Sequence, residues 1–443
     1  MPASDPVAHA LVAIIGRANV GKSTLFNALT RSTQALVGGV PGVTRDRHFG
    51  RVGWRERTFL LADTGGLVGA EDELGRQVRR QAEAAVAGAD AILLVMDGKE
   101  GPQAGDAEVV DYLRTTGKPL FLVVNKIDHP GREENLAEFY RFGLTPLYPV
   151  SATHKLGLSP LLDDLVQTLP ADREVPVEAP GIRVAVVGRP NVGKSSFINR
   201  VLGEERLIVS DQPGTTRDAI DTPVTFQGRD YVLIDTAGLR RPSHVAPGLE
   251  RSSVLKAFKA LERSDVALLL LDAREGVTSQ DMRIAKLIAE EGKGCVVGLN
   301  KWDLVPREDR PAALQAMKQG LEFLAFAPVM PLSVLTGYNL SRAFRLINQV
   351  YEQSGRRVGT GELNQLFQDI VRRVKPPLFR HRPVKFYYLT QPEVHPPTFV
   401  AFVNQPEGVP ESYRRYLVKE LRRGLGLPKA PVRLFLKKRT RRG

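Results

Sequence analysis

A chain of 443 residues with 42% hydrophobic residues suits about three domains with ordinary buried cores, and its net charge is +13. No run approaches the ~18 consecutive apolar residues of a membrane span, and residues 1–10 carry no basic leader, so a cytoplasmic protein without a membrane partner is expected. Cys295 is the only cysteine, which excludes an intrachain disulfide, and its apolar neighbours mark it as a core residue.

In chain order, the first apolar run is 11–15, followed by Gly16, Arg17, Ala18, Asn19, Val20, Gly21, Lys22 and Ser23. This matches the phosphate-binding pattern G-x-x-x-x-G-K-[ST], placed between a strand and the helical stretch that begins near Thr24. In such a loop glycines let successive N–H groups face a β-phosphate, and the following helix adds its positive end. Lys22 is expected to bridge β- and γ-phosphate oxygens and Ser23 to give a hydroxyl to magnesium. Next come Pro41-Gly42-Val43-Thr44-Arg45-Asp46, an apolar run at 58–62, and Asp63-Thr64-Gly65-Gly66.

Further apolar runs at 91–96, 120–124 and 147–150 alternate with helical patterns. Strands apolar on both faces belong to a parallel sheet covered by helices, so a doubly wound α/β domain is expected, with its ligand at the carboxyl ends of the strands. Directly after the run 120–124 stands Asn125-Lys126-Ile127-Asp128, an N-K-x-D sequence. The Asp128 carboxylate can accept from the N1–H and 2-amino group of guanine, whereas adenine would leave it unpaired, so GTP and GDP are the expected ligands. Ser151 and Ala152, after the run 147–150, can present a backbone N–H to the guanine O6.

A stretch of alternating proline and acid, 171–181, reads as an extended tether without strand or helix period. The whole pattern then returns. Gly188, Arg189, Pro190, Asn191, Val192, Gly193, Lys194 and Ser195 repeat the loop 172 residues later, ahead of Ser196. Pro213-Gly214-Thr215-Thr216-Arg217-Asp218 and Asp235-Thr236-Ala237-Gly238 repeat the next two motifs, and Asn300-Lys301-Trp302-Asp303 and Ser333 repeat the base-reading set. Apolar runs at 183–187, 231–234, 266–271, 294–299 and 329–332 supply a second sheet. The expected domains are therefore 10–170 and 182–354.

After the glycine-rich break near Gly355 the character changes. Residues 356–443 hold a net charge of +14, against −1 for the rest, together with ten Phe and Tyr residues. A helix at 362–373, strands at 384–390 and 398–404, a helix at 411–423 and a strand at 432–436 make a small α+β layer over 355–443. Basic residues interleaved with aromatics point to nucleic acid. The seven histidines show no ligand spacing, so zinc or histidine catalysis is not expected.

The doubled set of phosphate loop, P-G-x-T-R-D, D-T-x-G and N-K-x-D, followed by a basic α+β tail, resembles the Der (EngA) family of tandem GTPases. The resemblance covers nearly the whole chain. It implies GTP hydrolysis in both domains, a K-homology-like third domain, and ribosomal RNA and precursors of the large ribosomal subunit as partners. By resemblance, Thr44 and Thr216 join magnesium and γ-phosphate, Asp63 and Asp235 reach magnesium through water, and Gly66 and Gly238 sense the γ-phosphate through their N–H groups. Thr64, Gly65, Thr236 and Ala237 complete those nucleotide-facing segments.

Leu67 and Leu239 stand where many GTPases carry a water-orienting glutamine, and leucine cannot do that. The family likeness supplies a substitute: Asn19 and Asn191 help hold a potassium ion against the phosphates, or else only shape the loop. Ala18 departs from the proline usual in the family and present at Pro190, and the tail has no intact G-x-x-G clamp, Glu407-Gly408-Val409-Pro410 being its nearest loop. The expected molecule is a monomeric GTPase switch in ribosome assembly; the alternatives are a nucleotide-dependent scaffold or a membrane-associated GTPase with one silent domain.

Overall fold

The computed structural model describes residues 7–33, 49–64, 83, 88–103, 105–170, 173–174, 181–203, 207–209, 221–234 and 249–439. Within these, the first sheet runs Phe49–Trp54, Arg57–Asp63, Leu11–Ile15, Ala91–Asp97, Leu120–Asn125, Leu147–Pro149. All neighbours are parallel except the edge pair Phe49–Trp54 and Arg57–Asp63. The central strands are apolar throughout because each side chain meets a core. Val12 and Ile14 enter the core shared with Leu25 and Leu161, while Ala13 and Ile15 enter the opposite one with Val110 and Phe139. Helix Leu158–Thr168 buries Leu158, Leu161, Leu162, Leu165 and Val166, a three-and-four spacing that lines one face.

The second sheet has the order Leu207–Val209, Thr222–Phe226, Arg229–Ile234, Ile182–Val187, Val266–Asp272, Gly294–Asn300, Val329–Pro331. Thr222–Phe226 runs antiparallel to both Leu207–Val209 and Arg229–Ile234, and all other neighbours are parallel. Helix Ser279–Glu291 starts with a capping box, in which the Thr278 side chain accepts from the Asp281 N–H and the Asp281 carboxylate accepts in return. Cys295 lies fully inside this sheet, and burial pushes its thiol up to about 12, as suits a packing residue.

The strands Phe49–Trp54, at the edge of the first sheet, and Thr222–Phe226, one in from the edge of the second, were not among the expected strands. In Thr222–Phe226 burial alternates, Val224 and Phe226 in against half-exposed Pro223 and Thr225, and in Phe49–Trp54 only Phe49 and Val52 are buried, so neither has the continuous apolar run of the central strands. A second difference lies in the proline-rich stretch 171–181, expected to have no strand. Arg173–Glu174 pairs antiparallel with Val7–Ala8, because a backbone bridge requires only extended chain and no side-chain period.

The tail forms helix Thr360–Arg373, strands Phe386–Glu393 and Thr398–Val403, helix Glu411–Gly424 and strand Arg433–Lys438. The first two strands are antiparallel and the last two parallel, joined by the crossover helix. Leu363, Phe367, Leu417 and Leu421 from the helices pack on Leu389, Phe399 and Ala401 of the sheet. Each such buried Leu contributes about 1.5–3 kcal/mol relative to exposure. Gly408, in the loop nearest to a G-x-x-G clamp, is buried, and a Cβ there would sit 2.7 Å from the Phe379 Cβ. Its role is close packing.

Among the described residues several contacts tie the tail to the preceding domain. The Lys429 N–H donates to the Gln353 side chain at 2.7 Å, Arg433 donates to the Glu290 carbonyl at 3.1 Å, and the His395 N–H donates to the Ser354 carbonyl at 2.9 Å.

Candidate functional site

Strand Leu11–Ile15 ends in the first phosphate loop and helix Lys22–Thr33 begins at its lysine; Ile182–Val187 and Lys194–Leu202 do the same in the second. Gly21 and Gly193 have φ of +92° and +100°, and a Cβ on them would lie 2.3 and 2.2 Å from the side-chain amides of Asn125 and Asn300. Both the left-handed backbone and the close approach demand glycine. Asn19 and Asn191 also lie in the left-handed region, at φ +64° and +62°, which asparagine tolerates better than most residues, and their side chains are exposed.

Lys22 is 8% exposed and donates to the carbonyls of Gly16 at 2.8 Å and Arg17 at 2.5 Å. Burial lowers its pKa, with Asp63 pulling it back up, so the ammonium is held over the loop in a poorly solvated place. Lys194 donates to the Arg189 carbonyl at 2.7 Å. The Ser23 hydroxyl donates to Asp63 at 2.7 Å, which brings together the two hard oxygen donors expected at magnesium, and the fit is chemically sound. Thr64 is turned inward, its hydroxyl donating to the Ile14 carbonyl at 2.6 Å, and Thr24 and Ser196 are exposed in the first helical turn.

Arg17 and Arg189 are anchored away from the loop. Arg17 Nε lies 3.2 Å from Asp106, and Arg189 lies 2.6 Å from Glu275 and 3.5 Å from Asp281. Asp106 opens helix Asp106–Thr115, Asp281 lies in the first turn of Ser279–Glu291 and Glu275 in the loop before it, and none of the three was expected in the site.

At the base-reading end, the asparagines of N-K-x-D are internal struts. Asn125 donates to the Val20 carbonyl at 2.9 Å and accepts from the Ala152 N–H at 3.0 Å. Asn300 donates to the Val192 carbonyl at 2.7 Å and accepts from the Val334 N–H at 3.0 Å. Each couples the phosphate loop to the loop after the last strand, so Val334 does for the second repeat what Ala152 does for the first. Any contact from the Ala152 N–H to guanine O6 is thus a second, shared use of that donor. The Ser151 hydroxyl donates to Asp128 at 2.8 Å and Lys99 lies 3.1 Å from the same carboxylate, whereas the Ser333 hydroxyl accepts from the Thr336 N–H at 3.2 Å.

The lysines of the motif have partners that the sequence reading missed. Lys126 donates to Asp97, and Lys301 donates to Asp272 at 2.7 Å. Burial alone would raise the Asp272 carboxyl, but the hydrogen bonds of Arg274 and Lys301 hold it at about 2; the Asp97 carboxyl is likewise kept below its ordinary value, chiefly by Lys126 against burial. A signal did exist, in the repeated pattern Asp97-Gly98-Lys99-Glu100-Gly101 and Asp272-Ala273-Arg274-Glu275-Gly276 at two strand ends.

Thr44, Gly65, Gly66, Leu67, Thr216, Asp235, Thr236, Ala237, Gly238 and Leu239 lie outside the described residues.

The geometry therefore holds two copies of one arrangement: a lysine-bearing loop at a helix N-terminus, coupled through a buried asparagine to a carboxylate-bearing base loop. The family model described as 50S ribosome-binding GTPase matches residues 11–126 and 183–301, and the model for the KH-domain-like C-terminal part of EngA bacterial GTPase enzymes matches 357–437. The GTPase Der of Moorella thermoacetica is 48% identical over 433 residues, 97% of this chain and 98% of that protein. The GTPase Der of Syntrophobacter fumaroxidans is 45% identical over 441 residues, 98% of this chain and 99% of that one. With two phosphate loops, two N-K-x-D sites and a KH-like tail in this order, the chain belongs to the Der family of GTPases and hydrolyses GTP.

Proposed function

We propose that the chain is a GTP-driven switch in assembly of the large ribosomal subunit, in which both GTPase domains control docking of the basic C-terminal domain on ribosomal RNA. The observation that carries this reading is the location of charge, +14 within residues 356–443 against −1 elsewhere, on a folded module that matches the KH-like model. Phosphate recognition by such a surface needs no base sequence and gives long-range steering. The reading places the protein in the cytoplasm as a monomer. Among the described residues no helix is long and apolar enough to cross a membrane.

If about five phosphates are neutralised, log affinity for ribosomal RNA falls with log salt at a slope of roughly −3.5 to −4.5. Lys437 and Lys438 belong to strand Arg433–Lys438, so deleting residues 437–442 would cut the sheet as well as the charge. The cleaner variant is Lys437→Gln, Lys438→Gln and Arg439→Gln together, expected to flatten the slope by about two to three units. RNA affinity that ignores salt would overturn the proposal.

In each site the lysine would hold the phosphates, and the Ser23 or Ser195 hydroxyl would serve as a ligand to magnesium. Magnesium, when bound, neutralises charge that develops on the β- and γ-phosphate oxygens. Asn19 and Asn191, exposed on the left-handed turn of the loop, are the residues we assign to a potassium ion that offsets the missing glutamine at Leu67 and Leu239. Turnover should accordingly be faster in potassium than in sodium by about tenfold or more, from one modest electrostatic contact in the transition state. Asn191→Gly keeps the left-handed backbone and should abolish the stimulation in the second domain alone; equal rates in both salts would remove potassium from the mechanism.

A further inference from the structure

The sheet of the tail carries an aromatic cluster that the core does not absorb. Phe386 and Leu389 of its first strand point into the core, yet Tyr387 and Tyr388 between them are 37% and 39% exposed. A register shift between Phe386 and Tyr388 explains this, since Phe386 pairs with Val403 and Tyr388 with Phe402, leaving Tyr387 as the extra residue of a bulge. Two consecutive aromatics are thereby released from the core. The Tyr388 ring is stacked on Phe402 at 4.3 Å and 17°, and Phe402 pairs in turn with Lys437 on the last strand. The Arg439 guanidinium sits 4.7 Å from the Tyr387 ring centroid, and the Arg439 backbone N–H donates to the Val403 carbonyl at 2.9 Å, which anchors the residue at the end of the strand. The opposite end of the same sheet is the one pinned to the second GTPase domain through His395 and Arg433.

We infer that Tyr388, backed by Phe402 and flanked by Tyr387, Lys437 and Arg439, is a stacking platform for unpaired bases of single-stranded RNA. This rests on the RNA reading above and adds which form of RNA is bound and by which face. The platform offers π-faces in a fixed orientation, and the adjoining cations suit the phosphates on either side of a stacked base. A duplex buries its base faces in its own stack, so it can use the cations but not the ring. This site differs from a G-x-x-G backbone clamp, whose nearest counterpart here is occupied by packing around Gly408.

The test uses the full chain with a uridine oligonucleotide, which stacks little on itself, and an RNA duplex with the same number of phosphates. The single strand should bind more tightly. Tyr388→Leu, which keeps an apolar contact on Phe402, should weaken single-strand binding about 5- to 150-fold with an unchanged salt slope, because a base-stacking contact is lost and no charge is removed. Tyr388→Phe should bind as the parent does. Thermal melting of each variant identifies any loss of fold. Salt-dependent RNA binding that is indifferent to Tyr388→Leu, or equal affinity for strand and duplex, overturns the platform while leaving the RNA reading intact. Absence of RNA binding by the parent chain overturns both.

Discussion

Asp303→Asn is expected to turn the second GTPase domain from a guanosine to a xanthosine triphosphate site. The Asp303 carboxylate is assigned to two N–H donors of guanine, and asparagine offers one of them a donor instead of an acceptor. One charge-assisted hydrogen bond of about 1.5–3 kcal/mol is lost and the other becomes a weaker neutral one, so GTP affinity should fall by roughly two to three orders of magnitude. Xanthine carries a 2-oxo group that needs a donor, which the new amide supplies. In the first domain Asp128→Asn should cost somewhat more, because that carboxylate is also held by Ser151 at 2.8 Å and Lys99 at 3.1 Å. Competition between guanosine and xanthosine nucleotides at each site, with the other site disabled, reads the effect. An unchanged preference for GTP would mean that the base is recognised elsewhere.

Removing the phosphate-loop lysines should give the largest change in rate. Lys22 is nearly enclosed, and burial already lowers its pKa, so its charge acts through a poorly screened environment. Loss of a preorganised group that stabilises developing charge typically costs about 10²- to 10³-fold in turnover. Lys22→Ala should therefore silence the first domain and Lys194→Ala the second, with the double variant inactive. Single-turnover measurements on the two single variants decide whether both domains work. If total turnover survives Lys22→Ala undiminished, the first domain is a nucleotide-holding scaffold and the two-switch reading fails.

The phosphate loops were legible because their chemistry is contiguous. Eight neighbouring residues supply the turn, the lysine and the hydroxyl, and the flanking apolar runs at 11–15 and 183–187 mark the strands that feed them. The central strands were legible for a related reason: Leu11–Ile15 and Val266–Asp272 meet a core on both faces, and no polar residue interrupts that pattern before the strand end. Edge strands escape such a reading. Phe49–Trp54 buries only Phe49 and Val52 and contains two glycines, so its pairing with Arg57–Asp63 depends on the neighbour already being in place.

The duplication, the base-reading motif, the parallel α/β class and the concentration of charge in the last fifth of the chain are all written in local pattern or composition. Which distant groups meet depends instead on how the strands align. Asp97 reaches Lys126 because strands Ala91–Asp97 and Leu120–Asn125 align Asp97 with Asn125, and Asp272 reaches Lys301 because the same register recurs at Asn300. Sheet register also gave Asn125 and Asn300 their bracing role between two loops. In the tail, composition showed ten aromatics without saying where any would lie. A single bulged residue sends Phe386 inward and leaves Tyr387 and Tyr388 exposed, because strand pairing, which no local pattern encodes, sets the face on which each side chain emerges.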